Sequence, residues 1–223
     1  MLGVDRDLTP FYRAAEKVTW LSELALRMRG LKPPRYPTLW EAFFNAVTFQ
    51  QVSLHAASAI TRRWIFALGE PLEHAGVAHY AFPTPEQMLD ASDEVMRATG
   101  LSGNKLATLR RAAESILSGA LDESMLEERN SADASALLQK IKGIGPWTAT
   151  VILLRGLGRL DVFPMKDSSV TRNLALVAGP VPLDVPADLA TLRPQQGMLY
   201  YHLLLARLES RGAITPGSPS PTP

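Results

Sequence analysis

The sequence predicts an all-α fold, and three observations predict it. Apolar residues recur at helical spacing along most of the 223-residue chain. Strand-like alternation is scarce. Helix boundaries are marked again and again by Ser, Thr, Asp, proline and glycine in cap positions. With 46% of its residues hydrophobic, the chain can bury one large core or two small ones.

The elements follow in order. PFYRAAEKVTWLSELALRMR spaces Val18, Leu21, Leu24, Leu26 and Met28 for a helix that Gly30 and the prolines at 33, 34 and 37 end. Thr38 with Glu41 is a capping box for the next helix, whose sequence LWEAFFNAVTFQQV is apolar nearly all round and so belongs at a centre. Ser53 to Leu68 continues as helix, with Ala56, Ala57, Ile60, Trp64 and Ile65 on its packed side. Gly69 to Pro83 reads as a loop. Thr84-Pro85-Glu86-Gln87 combines a cap, an N1 proline and a capping box. Short helices reach Ala91 and Ala98, an amphipathic one runs from Lys105 to Leu117, and Glu123 to Arg129 is small and acidic. Beyond the hairpin described next, a helix runs to Ala178, a proline-punctuated stretch holds one short helix, and Met198 to Glu209 is the last apolar helix. ITPGSPSPTP has the low-complexity composition of a disordered tail.

Between Gln139 and Arg172 lies QKIKGIGPWTATVILLRGLGRLDVFPMKDSSVTR. A helix closing on Ile141 meets the turn Lys142-Gly143-Ile144-Gly145, and Pro146 starts a new helix where its missing N–H costs nothing. Glycines spaced one apart leave backbone N–H groups bare at a helix N-terminus, an arrangement suited to phosphate. Taken alone, the same pattern also fits a C-capping glycine before a proline-started helix. Asp167 ahead of SSVTRNL fits either an N-cap or a catalytic carboxylate. Lys140, Lys142, Arg155, Arg159, Lys166 and Arg172 make the stretch basic, although the whole chain is near neutral at 23 Lys and Arg against 22 Asp and Glu.

The combination resembles the helix–hairpin–helix DNA glycosylases, in particular the 3-methyladenine DNA glycosylase II branch. The resemblance is carried by Gly143, Ile144, Gly145, Trp147, Thr148 and Ala149, then Asp161-Val162-Phe163 and Asp167. Upstream it is carried by Phe49-Gln50-Gln51-Val52-Ser53 with Ala56-Ala57, and by Gly100-Leu101-Ser102 with Lys105. It spans roughly residues 38 to 178. It implies two helical lobes around a cleft: residues 40–130 as one, and residues 131–211, holding the hairpin and the acid, as the other. Residues 1–39 complete the second lobe, 212–223 form the tail, and the N-terminal β domain of longer members is not expected.

The resemblance also assigns roles. Asp167 becomes the catalytic carboxylate, with Asp161 read as structural. Trp147 becomes an aromatic platform for a flipped base, with Trp40, Phe43 and Phe44 as further pocket lining; a core role fits any of the four equally well. Gln51 becomes the wedge that fills the vacated stack, assisted by Gln50. Gly143, Ile144, Gly145 and Thr148 grip phosphates, joined by Lys142 and Lys166. In relatives, hairpin carbonyls hold a sodium or potassium ion; here they would be those of Gln139, Ile141 and Ile144. Bifunctional members carry a lysine nucleophile where this chain has Trp147, so hydrolysis to an abasic site is implied rather than strand cleavage. Ser168-Ser169, Val151 and Pro194-Gln195-Gln196-Gly197 depart from the branch's bulkier residues and imply a wider pocket with broad or shifted selectivity among alkylated bases.

Cysteine is absent, which excludes disulfides, thiolate nucleophiles and the iron–sulfur cluster of the endonuclease III relatives. His55, His74, His79 and His202 show no metal-ligand spacing. No cofactor is required by this reading. No apolar run approaches a membrane span, and MLGVDRDLTPFYR lacks a signal pattern, so a cytoplasmic, nucleoid-associated monomer acting on double-stranded DNA with alkylated bases is expected. The alternative is a non-enzymatic hairpin module that binds DNA; it needs Gly143 and Gly145 but has no use for Asp167, Trp147 or Gln51.

Overall fold

The computed structural model describes residues 2–165 and 168–214, excluding the side chains at 168 and 169. In chain order the helices are α1 Thr9–Ala15, α2 Thr19–Arg27, α3 Leu39–Thr48, α4 Leu54–Leu68, α5 Pro85–Asp90, α6 Asp93–Ala98 and α7 Gly103–Leu117. They continue with α8 Glu123–Glu127, α9 Ser131–Leu138, α10 Pro146–Arg155, α11 Ser168–Ala178, α12 Val185–Thr191 and α13 Gly197–Ser210. Strands β1 Pro71–His74 and β2 Val77–Tyr80 pair antiparallel. The fold is helical, as expected. The tail beyond residue 214 lies outside the described residues.

The helix starts are chemically explicit. Thr38, Ser53, Ser92 and Ser102 each accept a hydrogen bond from the backbone N–H three residues on. Thr84 and Gln87 form a complete capping box. Such side chains satisfy donors that the helix itself leaves without acceptors, at about 1 kcal/mol each.

The chain divides into two compact units, Met1–Arg35 with Gly158–Pro223, and Tyr36–Leu157. In the second, α3 packs on α7, α10 and α4, α5 packs on α7, and α9 packs on α10. Its centre is aromatic: the Phe44 ring stacks on Trp64 with centroids 3.9 Å apart, and Phe82 closes on both. The hairpin therefore belongs with the helices before it, a different division from the boundary read at residue 130. The reason is packing. The buried face of α10 (Ala149, Ile152 and Leu153) has its partner in α3, and a Cβ on Gly156 would sit 2.8 Å from the Cβ of Ala42. Tyr36 joins the same unit by donating its N–H to Arg155 O at 2.7 Å.

The first unit joins the two ends of the chain. Helix α2 packs on α1, α11 and α13, and α11 packs on α13. Phe11, Leu21, Leu174, Met198, Leu199 and Leu203 are buried there. Polar ties link the ends: the Phe11 N–H donates to Gln195 Oε1, Gln195 Nε2 to Asp7 O, and Trp20 Nε1 to Asp188 Oδ2 at 2.8 Å.

Two expectations change. The predicted helix from 10 to 29 breaks at Glu16–Val18 into α1 and α2. Residues 71–80, read as loop, form a hairpin whose central turn residues Ala75 and Gly76 have φ of +51° and +73°. Positive φ at both positions marks the type I′ turn, whose twist suits a tight hairpin. An Ala in its first place hid the signal.

Candidate nucleic-acid interface

The interface is built on the turn between α9 and α10. The Ile144 N–H donates to Ile141 O at 2.9 Å, folding the chain back after the last turn of α9. Gly143 adopts φ +103°, and a Cβ there would fall 1.9 Å from Thr108 Oγ1. Both facts demand glycine: the backbone is left-handed and lies against α7. Gly145 has a different reason for its lack of a side chain. It is the N-cap of α10, its φ is −91°, and nothing lies within 4 Å of a Cβ built on it. No neighbour in the described chain requires glycine at 145, so the backbone N–H there can be approached closely from outside.

Arg111 Nη1 donates to Lys142 O at 3.1 Å and so ties the turn to α7. Lys140 and Lys142 are exposed beside it. Arg155 instead lies 5.1 Å from the centre of the Tyr36 ring, an internal cation–π contact rather than part of a free basic face. Gln139, Ile141 and Ile144 supply neutral carbonyl oxygens at this turn. Ile141 O accepts one hydrogen bond and keeps a second lone pair.

The second turn, after α3, carries Gln50 and Gln51. Gln51 is exposed and takes φ +54°, which an unbranched polar residue adopts only at some cost. Gln50 is half-buried, and its Nε2 donates to Gly143 O at 3.3 Å and to Thr148 Oγ1 at 2.8 Å. Lys105 Nζ donates to Thr48 O at 2.8 Å, at the C-terminus of α3 where the helix dipole favours a cation. Partial burial pulls the Lys105 ammonium below its ordinary pKa.

Several residues named from sequence sit differently from their assigned roles. Trp40, Phe43 and Phe44 are interior: Trp40 Nε1 donates to Pro83 O at 2.8 Å, and Phe43 and Phe44 are fully buried. They occupy the packing role weighed beside the pocket role, because α3 packs on three helices of its unit, α4, α7 and α10. Thr148 is buried and its hydroxyl accepts from Gln50 Nε2 rather than facing outward. The Gln50 amide is engaged with the hairpin. Trp147 is half-buried in the first turn of α10. Asp167 and Lys166 lie outside the described residues. The segment leading to them is anchored in its own unit: Leu160 O accepts from the Gly197 N–H at 2.7 Å, and Asp161 O accepts from Gln196 Nε2 at 2.5 Å. Phe163 is half-buried and Met165 is 45% exposed.

Sequence reasoning gave no role to Lys105 and missed Thr108 and Arg111. Their three-residue spacing on an amphipathic helix was the available signal. A separate cavity of about 500 Å³ lies among α3, α4 and the strand hairpin, lined by Phe49, Arg62, Ile65, Phe66, His79 and Tyr80 among others. None of the residues named for the interface lines it.

Comparison with known proteins fits this geometry. Residues 44–181 match the family model described as HhH-GPD superfamily base excision DNA repair protein. A DNA-3-methyladenine glycosylase of Bacillus subtilis is 30% identical over 78% of this chain and 57% of its own length. The chain spans about half the length of the curated relatives it matches. Among solved structures, the 3-methyladenine DNA-glycosylase of Archaeoglobus fulgidus is 26% identical with a TM-score of 0.76, over 92% of this chain and 71% of that one. The 3-methyladenine DNA glycosylase of Schizosaccharomyces pombe, solved with abasic DNA, is 26% identical with a TM-score of 0.72, over 90% of this chain and 98% of that one. With more than half of its residues inside the family match, and with the glycine turn and helical architecture that go with it, the chain belongs to the HhH-GPD superfamily of base excision DNA repair proteins.

Proposed function

We propose that this protein is a monofunctional DNA N-glycosylase that hydrolyses the N-glycosidic bond of alkylated bases, of the 3-methyladenine type, in duplex DNA. The product is an abasic site, the first step of base excision repair. The observation that carries the reading is the coupling, inside one unit, of a glycine turn open to an external phosphate and an exposed Gln51 turn, joined by Gln50. Glycosylases named for 3-methyladenine among its relatives support the substrate class.

A base inside a duplex is out of reach and must be flipped out at a cost of a few kcal/mol. The backbone N–H groups of Gly143, Gly145 and the first turn of α10 hold the phosphate without reading sequence. Carbonyls of Gln139, Ile141 and Ile144 would hold a sodium or potassium ion that adds positive charge there. Gln51 enters the gap left in the stack, and the Trp147 indole offers an electron-rich face to an electron-poor alkylated ring. Breaking the C1′–N bond develops oxocarbenium character, as in glycoside hydrolysis, and the Asp167 carboxylate stabilises that charge and orients water. Because the residue at 147 is tryptophan, no amine is available at that position to form a Schiff base, and the strand stays intact. The small side chains at 168 and 169 and the valine at 151 favour several alkylated bases over a single lesion. The protein acts as a cytoplasmic monomer.

Incubation with methylated duplex DNA followed by alkali tests the reading: strand breaks at the lesion appear only after the alkali step. Asp167→Asn lowers release by about 10³-fold while DNA affinity stays within a few-fold. If the wild-type protein binds such DNA but leaves no abasic sites, it is a binding module and the glycosylase reading fails.

A further inference from the structure

Lys105, Thr108 and Arg111 recur every third residue on α7 and so run along one stripe of that helix. Lys105 meets the C-terminal end of α3 just before the Gln51 turn, and Thr108 and Arg111 meet the hairpin turn. Lys105 Nζ holds Thr48 O, two residues before Gln50. Thr108 fills the space that only glycine at 143 leaves open. Arg111 holds Lys142 O. Gln50 closes the circuit onto Gly143 O and Thr148 Oγ1. Both of those Gln50 partners can accept, which fixes the amide with its nitrogen toward the hairpin.

The residue types argue that the circuit does more than pack. A half-buried ammonium is expensive unless its charge is used, and a methionine of similar length would fill the same space without that cost. We infer that Gln50, Lys105 and Arg111 are positioning residues that fix the spacing between the phosphate-binding hairpin and the Gln51 turn, so that anchoring one phosphate sets where the side chain enters the stack. The inference rests on the proposed role of the Gln51 turn in DNA. It moves Gln50 from an assisting wedge to a strut. The strut matters only when the stack must be opened, and this separates it from a purely structural role.

The test uses the full chain and two duplexes carrying the same methylated base beside 2-aminopurine, one fully paired and one with the lesion in an unpaired bubble. Fluorescence of 2-aminopurine at saturating protein reports unstacking, and single-turnover release reports excision. Gln50→Ala and Lys105→Met are each expected to lower both signals about tenfold on the paired duplex, the size of one lost hydrogen bond network link. On the bubble, release is expected to stay within about threefold, because the stack is already open. Lys105→Arg, which keeps the donor, retains most of the wild-type signal. Melting temperatures identify variants that merely fail to fold. In those variants Arg111→Gln gives a milder break of the same circuit. Equal losses on paired and bubble substrates, or none on either, would overturn the positioning role. Should the wild-type unstack the paired duplex yet release no base, the glycosylase reading falls while the fluorescence comparison still decides the strut.

Discussion

The unit Tyr36–Leu157 is one unbroken run of chain, whereas the other unit joins Met1–Arg35 to Gly158–Pro223. The two are held by different means. The first is centred on stacked aromatics, and its polar ties bind α7 to the end of α3 and to the hairpin, and one turn to the other: Lys105 to Thr48, Arg111 to Lys142, Gln50 to the hairpin. The second relies on ties between chain ends, with sequence separations of 184 residues for Phe11–Gln195, 168 for Trp20–Asp188 and 182 for Arg27–Glu209. Ties of that kind require closing a long loop first, which costs entropy before any contact is gained. The interface-bearing unit thus sets its geometry over separations of 31 to 98 residues, while the unit carrying the segment toward Asp167 depends on assembly of both termini.

Four experiments probe that contrast. Trp64→Ala removes the ring at the centre of the continuous unit and is expected to cost about 4 kcal/mol by thermal unfolding. Peptide-resolved hydrogen exchange should rise in α3, α4 and α7 before α1 or α13. If all helices loosen together, the two units do not differ in the way described.

Acid should act on the other unit. His202 is fully buried, its Nδ1 donates to Met198 O at 2.8 Å, and its Nε2 has no partner among the described residues. A proton added at Nε2 would place an uncompensated charge in the core. Burial therefore lowers the His202 pKa from 6.5 to about 4. An unfolded imidazole gains its proton near pH 6.5 while the folded one resists until about pH 4. Stability is thus full above pH 6.5 and is lost as pH falls through that window, by up to about 3 kcal/mol. Denaturant titrations from pH 7 to 4 should show the loss, and His202→Gln should flatten it. A profile unchanged by that substitution would mean other groups dominate the acid response.

Gly143→Ala combines a left-handed φ with a Cβ 1.9 Å from Thr108 Oγ1, and is expected to cost about 2 kcal/mol. Its signature is local: DNA affinity, followed by fluorescence anisotropy, should fall further than the melting temperature implies. Adding Thr108→Ala should recover part of the stability and leave the cost of the left-handed backbone. Least of the four, Trp20→Phe deletes the bond to Asp188 and should cost about 1 kcal/mol in urea unfolding.

Much of the fold was legible because helix boundaries are written in local chemistry. Thr38 and Thr84 announced their caps, and Gly143 to Pro146 announced the hairpin, all from residues acting within three or four positions. The strand pair was missed because all eight of its residues are exposed, so no buried alternation marked it. The division at residue 157 was missed because α10 could have packed on either side, and only its contact with α3 decides it. At the interface, residue types on the turns were readable, but the α7 stripe beneath them was not. Lys105 and Arg111 look like solvated charges until the carbonyls they meet are known.

Gln51 keeps a left-handed backbone that glycine would adopt without penalty. A chain selected for stability alone would relax there, since the exposed side chain has no packing to lose. On the proposed reading, the long polar side chain stays on this strained tip because it is the part that enters the stack. Gln51→Gly would separate the two demands, giving a turn that is easier to form and has nothing left to insert.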